Sequence, residues 1–242
     1  MLFDELRNLG MSIRLFNSIS KTSAISRSVS ISMAMIPNDI NCLAKKINNA
    51  KRPLIYAGGG IISADVSDKL LMLAEKADIP VVSTLMNLGA IPRNHRLSLG
   101  LVGMHGQKEA NLVVNNADLL IVVGARFSDR VTGDVNSFAK NAEIVHIDID
   151  NSEINKNVTV QYNIVGEIGI ILDAVMSMIE DNSHEEWLHK IDTFCVRKEI
   201  NRESFTPENI LKTIQDILGD DVTPRCRKFL ETSTIAGWTN AD

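Results

Sequence analysis

The chain has 242 residues, of which 45% are hydrophobic and 23% are charged, and its formal net charge at pH 7 is −5. This composition is typical of a globular protein with a hydrophobic core, and an acidic balance without a basic stripe argues against binding to nucleic acid. No apolar run reaches the roughly 18 residues of a membrane span, and no export signal is recognised at the start. The three cysteines, at 42, 195 and 226, are too far apart for a disulfide framework or a Cys-X-X-Cys metal site, so we expect a cytoplasmic protein.

The first part of the chain is rich in serine, with eight serines between Ser12 and Ser32. Serine side chains bury little apolar surface and compete for backbone hydrogen bonds, so this part is predicted to be poorly ordered. Residues 28–37 alternate polar and apolar side chains, which is typical of a half-buried edge strand.

From residue 37 onward, short apolar runs alternate with segments of helical periodicity. Strands are predicted at 54–57, 79–85, 118–125 and 143–150, with a weaker one at 160–166. Helices are predicted at 38–50, 63–78, 107–117 and 167–180. Because the strands are apolar throughout, they indicate a parallel sheet that is covered by helices on both faces. Residues 86–106 lack clear periodicity and are predicted to form a long functional loop.

The C-terminal part is predicted to add further helices. Residues 184–200 are amphipathic and should pack on the surface of the sheet domain. Residues 205–220 have Thr206 as a helix N-cap and Pro207 at the first helical position. Residues 221–242 give no clear element.

The residues that are unusual for a structural framework follow the predicted strands. They are the glycines 58–60, the segment 84–86, the segment 124–130, and Asp148 with Asp150. In parallel sheets, ligands bind beyond the carboxyl ends of the strands. These residues are therefore the candidates for a ligand site.

The triple glycine, Gly58 to Gly60, has two interpretations. It could let the backbone approach a phosphate, or it could form a tight turn that needs positive backbone angles. Gly58, Gly60 and Ser63 nearly fit the dinucleotide pattern G-x-G-x-x-G. However, the second strand ends in Ser83 and Thr84, without the acidic residue that would bind a ribose. The glycines alone leave the question open, and a nicotinamide-dependent oxidoreductase is weakly supported.

Two arginines, Arg126 and Arg130, flank a loop directly after the third buried strand. Two guanidinium groups suit a diphosphate, which accepts paired hydrogen bonds. The commoner arrangement for such a loop is that the arginines pair with Asp129 or Asp134 in solvent. The sequence leaves both arrangements open.

Two carboxylates, Asp148 and Asp150, alternate at the end of the fourth strand and are expected to share a face. They could accept hydrogen bonds from a ribose, or cap the following turn, which is the commoner role. His105 precedes a helix, where a histidine is more often a hydrogen-bonding residue than a catalyst. No serine elbow or metal-ligand spacing is present, so we predict no catalytic residue and no metal ligand. The pattern is that of a sheet that holds a ligand without transforming it.

Five segments in order resemble a known family: RPLIYAGGGI, IPVVSTLMNLGAIP, GMHG, ADLLIVVGARFSDRVTG and HIDIDNSEINKN. Together they resemble the central domain of the acetolactate synthase large (catalytic) subunit, a thiamine-diphosphate enzyme of branched-chain amino-acid biosynthesis. The resemblance runs from about residue 36 to about residue 218. The combination of GARFSDRVTG with GMHG points to this enzyme and not to its pyruvate decarboxylase or oxalyl-CoA decarboxylase relatives.

The resemblance implies a Rossmann-like, six-stranded parallel sheet flanked by helices that binds FAD in an extended form. The glycines 58–60 would pass close to the cofactor, and the loop with Arg126 and Arg130 would surround its diphosphate and ribityl region. Asp148 and Ile149 would lie near the adenosine. The implied cofactor-binding residues are Gly58, Gly59, Gly60, Thr84, Leu85, Met86, Gly103, Met104, His105, Gly124, Ala125, Arg126, Arg130, Val131, Asp148, Ile149 and Glu167.

The resemblance also implies what the chain lacks. Complete family enzymes have three domains, with a thiamine-activating glutamate in the first and a Gly-Asp-Gly magnesium motif in the third. Residues 219–221 read Gly-Asp-Asp, which is not that motif. We therefore expect a remnant of a preceding domain at 1–36, a central FAD-type domain at 37–181, and a helical linker with a truncated third domain at 182–242.

Such a chain should be inactive alone, with thiamine diphosphate and magnesium bound only by the full-length family enzyme. Family enzymes are homo-oligomers with a regulatory subunit, whereas the partner expected for this chain is a small-molecule cofactor. The alternative is a non-catalytic nucleotide-binding or interaction module that no longer holds flavin.

Overall fold

The computed structural model describes residues 36–194 except residue 136, together with residues 213 and 217. The predictions for the serine-rich start, for the helix at 205–220 and for residues 221–242 therefore lie almost wholly outside the described residues. No helix in the described part is long and apolar enough to cross a membrane.

The described residues form six strands and seven α-helices in alternating order. The strands are β1 (Pro53–Ala57), β2 (Val81–Ser83), β3 (Ser98–Leu101), β4 (Leu119–Val123), β5 (Glu143–Asp148) and β6 (Tyr162–Val165). The helices are α1 (Ile36–Asn49), α2 (Gly60–Ser63), α3 (Ser67–Lys76), α4 (Lys108–Asn116), α5 (Asp129–Thr132), α6 (Ile168–Met176) and α7 (Glu185–Phe194). Short 3-10 helices lie at Leu85–Asn87 and Asn151–Glu153.

All six strands are parallel and lie in the order β3-β2-β1-β4-β5-β6. The predicted parallel sheet is thus confirmed. Every residue of β1 and β4, the two central strands, is buried, as their unbroken apolar sequences predict. The chain proceeds outward from β1 to β2 and, on the other side, from β4 to β5. The boundary between β1 and β4 is therefore the topological switch point of the sheet.

The edge strand β3 was not predicted. It lies inside the segment 86–106, which the sequence pattern had assigned to a loop without a strand, and that part of the prediction was wrong. Residues Ser98 and Leu101 pair with Val81 and Ser83 of β2 with an irregular register. Three of the four residues of β3 are only half-buried, so no apolar run marks the strand. Pairing with β2, and not local sequence, defines it.

Two hydrophobic layers cover the sheet. Side chains at alternate strand positions enter opposite layers, as Ile55 and Ile121 do on one face and Leu54 and Leu120 do on the other. Helices α1, α3 and α6 cover the first face, and α4 and α7 cover the second. The helices predicted on both faces are therefore present.

Helix α7 is joined to the edge where the strands begin, which we call the amino edge. The indole nitrogen of the buried Trp187 donates to the Pro53 carbonyl over 3.1 Å. The ring nitrogens of His184 lie 2.9 Å from the Ala77 carbonyl and 3.1 Å from the Ala50 carbonyl. These bonds tie α7 to three chain segments at the amino edge, and leave the opposite edge clear of this helix.

Candidate functional site

The sequence-predicted site residues all lie at the edge where the strands end, which we call the carboxyl edge. Because the sheet is wholly parallel, the loops after all six strands leave it on this side. On one side of the sheet, Gly58–Gly60 follow β1, Thr84–Met86 follow β2 and Gly103–His105 follow β3. On the other side, Gly124–Arg126, Arg130 and Val131 follow β4, and Glu167 follows β6. Asp148 is the last residue of β5, and Ile149 comes directly after it. One continuous edge thus carries the whole predicted set.

At the switch point the loops after β1 and β4 cross in direct backbone contact. The amide of Gly60 donates to the Gly124 carbonyl over 3.0 Å. A Cβ on Gly58 would lie 2.1 Å from the Gly124 carbonyl oxygen, and one on Gly60 would lie 2.8 Å from the Gly124 Cα. There is no space for a side chain between these loops.

This crossing answers part of the question that the triple glycine raises. None of Gly58, Gly59 and Gly60 has a positive φ, so the interpretation as a turn that needs positive angles was wrong. The residue with a positive φ is Gly124, at 59°. Gly58 and Gly60 are required by contact with the β4 loop, whether or not a ligand also approaches them.

The loop after β4 rests on a buried aromatic cluster. Phe127 lies with its ring centroid 5.9 Å from that of Tyr56, 5.8 Å from that of Phe138 and 5.1 Å from that of His146. Its φ is 33°, which is uncommon for a residue with a side chain and persists only where packing enforces it. The neighbouring Arg126 is exposed. The cluster therefore holds the backbone rigidly while the arginine side chain extends into solvent.

His146 is the titratable group within this cluster. Its Nε2 lies 2.9 Å from the Ala125 carbonyl, so this nitrogen carries the hydrogen and donates it. Its Nδ1 is buried and has no hydrogen-bond partner among the described residues. Burial lowers the pKa of His146, although the Asp148 carboxylate, 3.9 Å away, opposes this effect. The ring is therefore neutral and structural. The buried hydroxyl of Tyr56 likewise has no hydrogen-bond partner among the residues that the structure describes, and burial raises the pKa of Tyr56.

The two arginines of the β4 loop are both exposed. Among the described residues, no ion pair joins either guanidinium to a carboxylate, so the pairing with Asp129, one of the arrangements that the sequence left open, is not formed. Asp129 accepts from the backbone amide of Arg130 over 2.9 Å, and Asp134 accepts from the Ser137 hydroxyl over 2.6 Å. Both guanidinium groups are thus available to an anion.

Asp148 and Asp150 both act as caps, which was the commoner of the two roles considered. β5 ends at the buried Asp148, whose Oδ1 accepts from the amide of Asp150 over 2.9 Å. The exposed Asp150 accepts from the Ser152 amide over 2.9 Å. Its bonds with Ser152 lower the pKa of Asp150, and the positive charge of Arg126 contributes to the same effect. Arg126 therefore lies within electrostatic reach of this turn.

Large apolar side chains are exposed at the same edge. The exposed fraction is 45% for Leu85, 62% for Met86, 68% for Met104 and 67% for Ile149. Exposed apolar side chains at this edge offer a surface that a ligand or a neighbouring domain could cover. Large apolar side chains are also exposed on helices away from it, as Met72 and Ile170 are, each at 58%. In contrast, Gly58, Gly103 and Ala125 are buried and shape the backbone of the edge. Among the described residues, no group of three His, Cys, Asp or Glu side chains could hold a metal ion.

Two residues that support this edge were not identified from the sequence. Phe127 could have been noticed as the single aromatic residue in a charged loop. Asn111, whose side chain binds the backbone of Gly103, gives no local signal, because its partner is positioned only by the folded sheet.

Replacing Gly58 with alanine should separate the two crossing loops. The new Cβ would meet a rigid carbonyl oxygen at 2.1 Å, so we expect the free energy of unfolding to fall by about 3 kcal/mol, measured by urea denaturation. Gly169→Ala is the control, because Gly169 has no positive φ and its Cβ would meet only side-chain atoms, 3.2 Å from the Cγ1 of Val66 and 3.7 Å from the Nζ of Lys69. Within a helix, alanine is favoured over glycine by up to about 1 kcal/mol, so little loss is expected there. Equal losses in the two variants would contradict a steric role for Gly58.

His146 should make the domain less stable in mild acid. The unfolded chain protonates this side chain near its usual pKa of about 6.5, whereas the folded state resists protonation. Its contribution to stability is therefore complete above that pH and is lost as the pH falls toward the lower folded pKa. In His146→Gln we expect a smaller decrease in the free energy of unfolding between pH 7.5 and 5.5, by at most about 1.4 kcal/mol per pH unit. The exposed His189→Gln is the control, and identical pH profiles for the wild type and His146→Gln would refute the assignment.

The comparisons with known proteins agree with this geometry. Residues 40–175, from within α1 to within α6, match the family model described as thiamine pyrophosphate enzyme, central domain. The chain is 44% identical to the probable acetolactate synthase large subunit of Methanococcus aeolicus over 181 residues, which are 75% of this chain and 28% of that protein. It is 42% identical to the corresponding protein of Methanocaldococcus jannaschii, over 76% of this chain and 32% of that protein. It is 36% identical to the large subunit of acetolactate synthase isozyme 3 of Escherichia coli, over 68% of this chain and 31% of that protein.

These matches confirm the resemblance that the sequence motifs indicated. The chain spans about three tenths of the length of the curated relatives that it matches. The family model covers more than half of the chain and includes all six strands of the sheet. The chain therefore belongs to the family of thiamine pyrophosphate enzyme central domains.

Proposed function

We propose that this domain binds FAD along the carboxyl edge of its sheet, as the central domain of an acetolactate synthase-type enzyme of branched-chain amino-acid biosynthesis. The observation that carries the proposal is that one edge carries four exposed apolar side chains and two exposed guanidinium groups, which form no ion pair with a carboxylate of the described residues. A flavin dinucleotide combines a doubly charged diphosphate with two flat aromatic ring systems, and this edge offers a complement to both.

The residues present fit the chemistry of such a ligand. Arg126 and Arg130 would each donate charge-assisted hydrogen bonds to diphosphate oxygens. Leu85, Met86 and Met104 would cover aromatic rings, since methionine adapts its shape to a flat surface. In the carboligation reaction of the family the flavin would serve as a structural element, so no electron transfer is assigned to this chain.

The described residues do not fit thiamine diphosphate with magnesium. They contain no cluster of metal-ligating side chains, so we derive no step of thiamine chemistry from them. We propose that the chain alone does not join two pyruvates, or pyruvate and 2-oxobutyrate. In the family, the groups for that reaction come from the other two domains.

The named relatives are large subunits, and by analogy a regulatory subunit would be a partner of the complete enzyme. The cysteine usage is consistent with a cytoplasmic location.

A second function, an interaction module without flavin, is favoured by one observation. The exposed fractions of Met104 and Ile149, 68% and 67%, would equally suit a neighbouring protein domain packed on the carboxyl edge. A titration with FAD separates the two functions. A yellow protein whose released pigment matches FAD supports the first, and a preparation that stays colourless after titration supports the second.

The arginines should determine the affinity for FAD. Arg126→Ala and Arg130→Ala each remove a charge-assisted contact worth about 1.5–3 kcal/mol, so we expect the dissociation constant for FAD to rise roughly 10-fold to 100-fold. Flavin fluorescence on titration measures this change. Lys51→Ala is the control, because it removes the same charge from the exposed start of β1 at the amino edge. An equal loss in the control would show that only net charge matters.

The chain should not form acetolactate alone. We expect no product from the purified protein with pyruvate, thiamine diphosphate, magnesium and FAD, because the groups that activate thiamine are not among its motifs. A colorimetric assay for acetoin after acidification measures the product. Formation above the level of a heat-denatured sample would contradict the proposal.

A further inference from the structure

A side chain outside the predicted set fixes the loop that follows β3, residues 102–107, which we call the β3 loop. Asn111, on α4, accepts a hydrogen bond at Oδ1 from the amide of Gly103 over 2.9 Å. Its Nδ2 donates to the carbonyl of the same residue over 2.9 Å. The carboxamide thus pairs with both polar groups of Gly103, as a neighbouring strand would. Only one orientation of the amide satisfies both bonds.

Gly103 is held in a conformation that other residues rarely adopt. Its φ is 110°, and a Cβ there would lie 3.0 Å from the Cα of Val131 and 3.1 Å from the carbonyl oxygen of Arg130. Because Gly103 is buried, its amide needs a protein partner, and Asn111 supplies it. The Gly103 carbonyl also accepts from the amide of Gly106 over 2.9 Å. Of the two polar backbone groups of Gly103, the amide therefore depends more on Asn111 than the carbonyl does.

The β3 loop is joined in turn to the loop after β4, which carries Arg126 and Arg130. The amide of Met104 donates to the Arg130 carbonyl over 2.9 Å. The side chains of Met104, His105 and Arg130 are all exposed at the carboxyl edge. Hydrogen bonds therefore run from the Asn111 side chain to Gly103, and from the backbone of the next residue, Met104, to the backbone of Arg130.

Asn111 is not needed to dock its own helix. The side chains of Ala110, Val113 and Val114 bury that helix in the second hydrophobic layer, and Asn111 lies outside this layer. Loss of the Asn111 carboxamide should therefore release the β3 loop without detaching α4.

We propose that Asn111 is a positioning residue, which holds the backbone of Met104 against that of Arg130 and thereby sets the affinity of the carboxyl edge for a flavin dinucleotide. The ligand named here rests on the proposed function. The hydrogen-bonding role of Asn111 rests on the geometry alone.

The test uses the full 242-residue chain and three variants. Asn111→Ala removes both hydrogen bonds. Asn111→Asp keeps the acceptor for the Gly103 amide, but places a second oxygen against the Gly103 carbonyl. Asn116→Ala is the matched control on α4, because the Nδ2 of Asn116 donates to the Leu112 carbonyl of its own helix, over 2.8 Å.

Two measurements are made on each variant. Hydrogen exchange should accelerate at the amides of Gly103 and Met104 in Asn111→Ala, and remain unchanged at Val122 in the central strand. The dissociation constant for FAD, from flavin fluorescence, should rise at least about tenfold in Asn111→Ala and less in Asn111→Asp. The control should match the wild type in both measurements.

Each outcome decides a different point. Unchanged exchange at Gly103 in Asn111→Ala would overturn the hydrogen-bonding role. Faster exchange with unchanged FAD affinity would overturn the positioning role and leave the flavin proposal intact. A wild-type chain that takes up no FAD would overturn the proposed function and the ligand named here. The exchange data would still decide whether Asn111 holds the β3 loop. If Asn111→Ala does not fold, Asn111→Asp provides the same comparisons.

Discussion

The loops after β1 and β4 touch at the centre of the carboxyl edge with no side chain between them. Gly60 donates to the Gly124 carbonyl over 3.0 Å, and a Cβ on Gly58 would come within 2.1 Å of the same carbonyl oxygen. The rest of the edge depends on this contact, because it fixes the direction in which the β4 loop leaves the sheet. That direction places Phe127 inward and Arg126 outward. The glycines thus act on the ligand surface through the backbone that they allow to approach.

Buried and exposed residues have separate tasks at this edge. The buried cluster of Tyr56, Phe127 and His146 holds the loop. It includes one strained backbone angle and two polar atoms that have no hydrogen-bond partner in the described part of the chain. Each of these features costs free energy in a domain whose strands are otherwise packed in apolar layers. Such local costs are concentrated where a structure must present a defined surface, and here they lie directly beneath the exposed arginine loop.

The sequence predicted those parts of the fold that have a local cause. Unbroken apolar runs identified β1 and β4, and a parallel sheet then required the loops to gather at one edge. β3 has no such run, because three of its four residues are half-buried and its pairing with β2 is irregular. The contact of Asn111 with Gly103 joins residues eight positions apart through a turn and a helix start, and no periodicity encodes it. The cause of the triple glycine was likewise non-local, since the atoms that exclude a side chain belong to the β4 loop.

Two cations at the amino edge are held in ion pairs, whereas the two arginines of the β4 loop are not. At the amino edge, Lys46 lies 2.8 Å from Glu143 and Arg96 lies 2.6 Å from Asp78, so both charges are already paired. At the carboxyl edge, Arg126 and Arg130 have no ion-pair partner among the described residues. A guanidinium that is already paired must exchange one carboxylate for an incoming anion, whereas an exposed unpaired one gives up only water. Under the proposed function, these two unpaired guanidinium groups, more than the glycines, are the feature by which the carboxyl edge would bind an anion.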